Sequence, residues 1–189
     1  MNIEQIISSR PDTTNIGGSA PWKMRHLYEI CKRLQPNLII ESGTWKGNSL
    51  WLLRKAFINS EIHSYDIDYS HLLWKDKTIT YHNYDISIDN KKFNPKYNDV
   101  IFFDDHINQK ERLEWAYNNG FKNLVFDDNV PSSKLEAFGM PPIPTISMLQ
   151  EQNRIPNYVD YFVILDYDNS DISTRNKGQT YLTYLKIKN

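Results

Sequence analysis

The sequence has little that would staple, anchor or strongly charge a fold. A single cysteine, Cys31, excludes an internal disulfide framework and a multi-cysteine zinc site, and fits a reducing, cytoplasmic setting. Long hydrophobic runs are missing: stretches such as Val100-Ile101-Phe102-Phe103 are far too short to span a bilayer. Met1 to Arg10 lacks the basic-then-apolar layout of a secretion signal. Neither sign of charge dominates. Against 22 Lys and Arg stand 23 Asp and Glu, so no basic field recruits nucleic acid or a membrane surface. No repeat, low-complexity tract or linker divides the 189 residues, which read as one domain with a polar segment over residues 1–20. Aromatic side chains are somewhat abundant, with 12 Tyr and 5 Trp; a binding cleft, a homo-oligomer interface or plain packing each accommodates them.

What is present is a regular alternation. The polar first segment ends in a loop-like stretch, Gly17-Gly18-Ser19-Ala20-Pro21. From Trp22 to Leu34, apolar Met24, Leu27, Ile30, Cys31 and Leu34 recur at helical spacing. Pro36 closes that helix, and Asn37 to Glu41 reads as a short buried strand. Further strands are expected over Glu61–Asp66, Thr78–Tyr84, Asp99–Asp104 and Asn123–Asp127, with helices over Ser49–Phe57 and Gln109–Asn118. Asn119-Gly120 supplies a C-terminal cap for the last of these. A proline-rich loop with Pro131, Pro141, Pro142 and Pro144 follows, with short helices near Leu135 and Ser147–Gln150. Tyr158–Leu165 and Thr180–Ile187 alternate like a pair of antiparallel strands. This order predicts an α/β fold, Rossmann-like and doubly wound: a mostly parallel sheet ending in an antiparallel hairpin.

In such sheets ligands lie beyond the carboxyl ends of the strands. Five strand ends carry acid here: Glu41, Asp66, Asp85, Asp104 and Asp127-Asp128. Any one of them fits a helix cap; five in register point to a site. The first strand runs into Glu41-Ser42-Gly43-Thr44-Trp45-Lys46-Gly47-Asn48-Ser49, where Gly43 allows a sharp turn and Gly47 a close backbone approach. The loop lacks the G-x-G-x-x-G spacing of a dinucleotide site.

Glu41-x-Gly43-x-x-x-Gly47-x-Ser49 resembles the first motif, E-x-G-x-x-x-G, of class I S-adenosylmethionine (SAM)-dependent methyltransferases. The resemblance implies that Ser42, Gly43, Gly47 and Ser49 belong to the SAM-binding loop, with Glu41 engaging the amino-acid part of SAM directly or through water. Asp66 then stands where its two oxygens accept from a ribose diol, a role for which Asp68 is a competitor better read as a cap or solvated. Asp85 resembles the G-D-A position beside the adenine amino group, although Tyr84 replaces the usual glycine.

Asp104-Asp105-His106 and Asp127-Asp128-Asn129 follow two adjacent strands, and oxygen ligands suit Mg²⁺ (or Mn²⁺). Asp99 to Asp104 is similar to D-x-V-x-x-D, and Asp128-Asn129-Val130 to D-N-V, of the metal-dependent O-methyltransferases of small molecules and sugars. That resemblance implies Asp104, Asp128 and Asn129 as metal ligands, with Asp104 also bordering SAM. It gives Asp127 a neighbouring role, as in the sugar-modifying branch with paired aspartates. The cation would acidify a hydroxyl of a small-molecule or sugar acceptor. His106 reads either as the general base or as a helix-terminal residue bonding backbone; Asp105 and Asp127 also fit helix caps.

Two alternatives stay open: a metal-free transferase with His106 as base and Asp104 as its orienter, and a SAM- or nucleotide-binding module without turnover. Nucleic-acid methylation is disfavoured by the neutral charge and by Asp-Asp-His where an N/D-P-P-Y/F motif would stand. His63, His71 and His82 read as surface or packing residues, and His26 as able to face the cleft. Trp22 and Trp45 fit either walls of the cofactor site or ordinary burial.

Overall fold

The computed structural model describes residues 2–14, 19–135, 143–165 and 181–188. The loop readings at Gly17-Gly18 and Pro141-Pro142, and any helix continuing past Leu135, lie outside these residues. Five strands run parallel: β1 (Leu38–Ser42), β2 (Glu61–Tyr65), β3 (Ile79–His82), β4 (Val100–Phe103) and β5 (Asn123–Asn129). Two more, β6 (Val159–Leu165) and β7 (Tyr181–Ile187), form the antiparallel hairpin, and β7 pairs antiparallel with β5. The sheet order is β3-β2-β1-β4-β5-β7-β6, so β1 is the middle of the five parallel strands and the winding reverses between β1 and β4.

Because side chains alternate along a strand, neighbouring residues enter different cores. Ile39 joins the layer beneath α1 (Ile3–Ser8), α2 (Pro21–Leu34) and α3 (Asn48–Ala56). Ile40 joins the opposite layer, with Leu113 and Ala116 of α4 (Gln109–Asn118) and Ile146 and Leu149 of α5 (Ile146–Glu151). Both isoleucines are fully buried, as a sheet covered on two faces requires.

Local chemistry sets the helix ends. Pro21 opens α2, where its fixed φ costs nothing, and Gln35 closes it in a left-handed conformation with φ 50°. Asn108 caps α4, accepting from the amides of Lys110 and Glu111, so the cap is Asn108 rather than Asp105. The polar reading of the first segment missed α1. Asn2 and Gln5 form a reciprocal capping box there, and Ile6 and Ile7 are buried. Strand β3 is shorter than expected, while β5 runs on through Asp127, Asp128 and Asn129.

Asp99 ties the sheet's amino-terminal edge. Its carboxylate accepts from the amides of Asn37 (3.0 Å), Leu38 (2.9 Å) and Lys96 (2.7 Å), joining the approaches to β1 and β4. The side chain is buried, so removing it strands three donors. Asp99→Ala is expected to lower the unfolding free energy by about 2–4 kcal/mol in urea titrations. A loss below about 1 kcal/mol would contradict this role.

Candidate active site

The loop after β1 is shaped by contacts beneath it. Gly43 has φ 87°, and a Cβ there would lie 2.2 Å from the carbonyl oxygen of Asp104. Only glycine lets the loop rest on the end of β4. Its amide donates to the carbonyl of Tyr65 (2.8 Å), and the Asp104 amide donates to that of Ser42 (2.7 Å). The ends of β2, β1 and β4 are therefore locked together just where the acids emerge. Gly47, with φ 86°, is the N-cap of α3, and the neighbour its Cβ would strike is the side chain of Leu72.

Above this floor lies a cavity of about 550 Å³, walled by residues 42–45, 65–68, 84–85 and 104–107, with His71 at its edge. The size falls within the range of about 300–1,000 Å³ common for small-molecule sites. Asp66 lines it and braces the loop: one carboxylate oxygen accepts from the amides of Thr44 (2.7 Å) and Trp45 (3.1 Å). Trp45 packs tilted against His71, with ring centroids 4.1 Å apart, and both line the cavity. Asp68 accepts from Ser70 and acts as a turn cap. His63 and His82 are packed in a stacked pair away from the loop; His26 meets Trp22 edge-on.

Glu41 and Ser49 sit under the loop rather than in the cavity wall. The Glu41 side chain is fully buried and accepts from Thr44 Oγ1 (3.1 Å), while its Oε1 has no partner. Burial drives its carboxyl up to about 8, against hydrogen bonds from Ser49 and Thr44.

At the Asp85 end the structure supplies a residue that sequence reasoning passed over. Arg112 of α4 is buried and holds both carboxylate oxygens of Asp85, at 3.0 and 2.5 Å. Its Nε donates to Asp105 (2.8 Å), which also accepts from Ser42 Oγ (2.6 Å). Burial would raise the Asp85 carboxyl, but the Arg112 and Ser87 hydrogen bonds hold it down at about 2. Asp85 lines the cavity, already committed to a guanidinium fork. In Lys-Glu-Arg-Leu-Glu, Arg112 looks like one more charge on a solvated helix.

The acids at the other end converge. Asp104, His106 and Asp128 each offer a ligand atom, all within 4.8 Å of one another. Burial, then the nearby Asp127 and Asp128, push the Asp104 carboxyl well above the usual carboxylate range. His106 Nδ1 lies 2.9 Å from Asp128 Oδ2, and this bond raises the imidazole's pKa. The carboxylate paired with His106 is therefore Asp128, where the sequence suggested Asp104. Asp127 is buried against the Lys23 ammonium, which also lies 3.6 Å from Asp128.

The structure does not bring Asn129 to this group. Its side chain is fully buried, donating to Thr183 Oγ1 (2.5 Å) and accepting from the Ser147 amide (2.8 Å). Alternation explains it: the ladder is irregular between Phe126 and Asn129, and Asp128 takes φ 53°, so Asp128 turns to the site and Asn129 to β7.

No protein-family model matches the sequence, and no curated protein does. Solved structures match over most of the chain. An O-methyltransferase from Bacillus cereus in complex with S-adenosylhomocysteine (SAH) aligns at TM-score 0.66 and 16% identity, over 98% of this chain and 90% of that one. TomG from Streptomyces achromogenes, an O-methyltransferase involved in tomaymycin synthesis and bound to SAM, gives 0.60 and 15%, over 99% and 89%. The cmcI structure with Mg and SAM gives 0.55 and 18%, over 89% and 72%. The fold is that of the class I SAM-dependent methyltransferases. At these identities the likeness is one of fold, and the chemistry has to be read from the side chains.

Glu41 gives a test that does not depend on turnover. Its raised carboxyl keeps a proton in the folded chain that the unfolded chain releases. That contribution is full below the unfolded value of about 4.5 and is lost as pH rises through about 8. Glu41→Gln, neutral throughout, is expected to match the wild type near pH 4.5 and to exceed its stability by roughly 1–3 kcal/mol above pH 8. A difference that does not change with pH would argue against a buried neutral acid.

Proposed function

We propose that the chain is a SAM-dependent O-methyltransferase acting on a hydroxyl of a small molecule or sugar. The observation that carries this reading is the cavity whose wall holds the Gly43 loop and Asp66 together with Asp104 and His106, the two residues that converge with Asp128. The apolar and aromatic part of its wall, Tyr65, Ile67 and Tyr84, suits a nucleoside. Asp66 offers acceptors for a ribose, and the acids at the far end mark where the acceptor hydroxyl would lie. SAM supplies an electrophilic methyl group.

The chain's contribution is to hold the acceptor oxygen in line with that methyl, with water kept out, and to take its proton. In this reading His106 takes the proton, with its hydrogen bond to Asp128 orienting the ring. The same three groups suit a divalent cation: like charges crowd at Asp104, and two carboxylates with an imidazole form an accepted donor set. Such a cation would supply Lewis acidity to an acceptor hydroxyl. The donor set differs from the all-oxygen one expected for Mg²⁺, since an imidazole stands in place of Asn129, and it suits Mn²⁺ at least as well.

A metal-free transferase is a second reading, favoured by the direct His106–Asp128 bond. Asp128→Asn is expected to reduce turnover by about 10²-fold or more in either case. Activity that persists in chelator selects the metal-free route.

Calorimetric titration with SAH is expected to show binding at micromolar levels for the wild type. Gly43→Ala, whose Cβ has no room and whose φ is left-handed, is expected to lose it. A wild-type chain that binds neither SAM nor SAH would end this reading. Binding without transfer to any hydroxyl acceptor would leave a SAM-binding module.

A further inference from the structure

Lys23 is hard to explain as a structural residue. It sits in the first turn of α2, is nine-tenths buried, and places a positive charge at the positive end of a helix. Dehydration and the helix dipole both oppose it there. What holds it is acid: it is in direct contact with Asp127, lies 3.6 Å from Asp128 Oδ1, and feels Asp104 as well.

The three acids are therefore not equivalent. Asp127 Oδ1 accepts from Lys23 and also from the Asp128 amide (2.7 Å). Asp128 divides its oxygens, Oδ1 facing Lys23 and Oδ2 facing His106. Among the described residues, the group able to hold a cation comprises Asp104, His106 and Asp128, and omits Asp127.

We propose that Lys23 is a built-in counter-ion that sets the metal chemistry of this site. It withdraws Asp127 from the ligand set and limits the site to one cation, held by Asp104, His106 and Asp128. Its own charge beside them weakens that cation's binding, which an acceptor supplying further oxygens would strengthen. The inference rests on reading those three residues as a cation site.

The test uses the full chain and Mn²⁺ alone, following free Mn²⁺ by electron paramagnetic resonance. Three proteins are compared: wild type, Lys23→Met, and Lys23→Met combined with Asp127→Asn. The double variant removes the pair together and so leaves no lone buried charge. Wild type is expected to bind one Mn²⁺. The double variant should bind one at least as tightly, and Lys23→Met about tenfold more tightly than wild type or better.

Loss of binding in the double variant would make Asp127 a ligand and overturn the proposal. Equal affinities for wild type and Lys23→Met would overturn it too, as would Mn²⁺ binding to none of the three. SAH titrations on the same samples keep the outcomes apart: a chain that binds SAH but no Mn²⁺ sinks the role of Lys23 and leaves methyl transfer standing.

Discussion

Gly43 lies so close to the Asp104 carbonyl that no side chain fits between them, and the whole site hangs on that contact. It brings the end of β1 onto the end of β4. The hydrogen bonds from Gly43 to Tyr65 and from Asp104 to Ser42 then fix β2, β1 and β4 in one register. Acids that are 63 residues apart in sequence, such as Glu41 and Asp104, become neighbours across a few ångströms of backbone. A glycine in this loop is usually credited to the ligand; here the protein's own backbone already demands it.

Packing acids this closely creates an electrostatic problem, and the structure meets it with two buried cations. Arg112 spans Asp85 and Asp105 in the cavity wall, and Lys23 spans Asp127 and Asp128 at the end of β5. The choice of cation matches the geometry. A planar guanidinium can grip two carboxylates at once in a fixed fork, whereas an ammonium is a compact point charge. Asp104 and Glu41 have no basic partner in hydrogen-bond reach among the described residues, and both carboxyls are pushed upward. The proton kept on Glu41 relieves part of this crowding, and Asp104 is left in the cavity wall beside the other acids.

Much of this was legible in the sequence, and the reasons are specific. Strands such as Val100–Phe103, buried on both faces, announce themselves as unbroken apolar runs, and the acid after the carboxyl end marks the cavity edge. The C-terminal hairpin showed in its alternation. What stayed hidden was any role decided by a partner distant in sequence. Arg112 and Lys23 look like surface charges on helices until the sheet brings Asp85, Asp105 and Asp127 to them. Helix α1 was missed for another reason: its six residues are too few for a helical period, and only Asn2 and Gln5 signal its start.

Asp127-Asp128-Asn129 shows where a motif stops being enough. As letters, the pair Asp128-Asn129 resembles a ligand pair of the metal-dependent O-methyltransferases. In a regular strand its two side chains must point to opposite faces, so both can reach one ion only if the backbone breaks step. The break is present, but it falls at Asp128, whose left-handed φ of 53° turns that residue towards His106. Asn129 is left in the ladder, facing Thr183 and the start of α5, where its amide oxygen caps the Ser147 amide. The imidazole of His106, itself at φ 54° on the facing loop, takes the third place in the group. The loop after β4 and the end of β5 each contribute one residue in a strained conformation to the same group, and strain of this kind persists only where the surroundings hold it. Here the two strained residues hold each other, through the 2.9 Å contact between them.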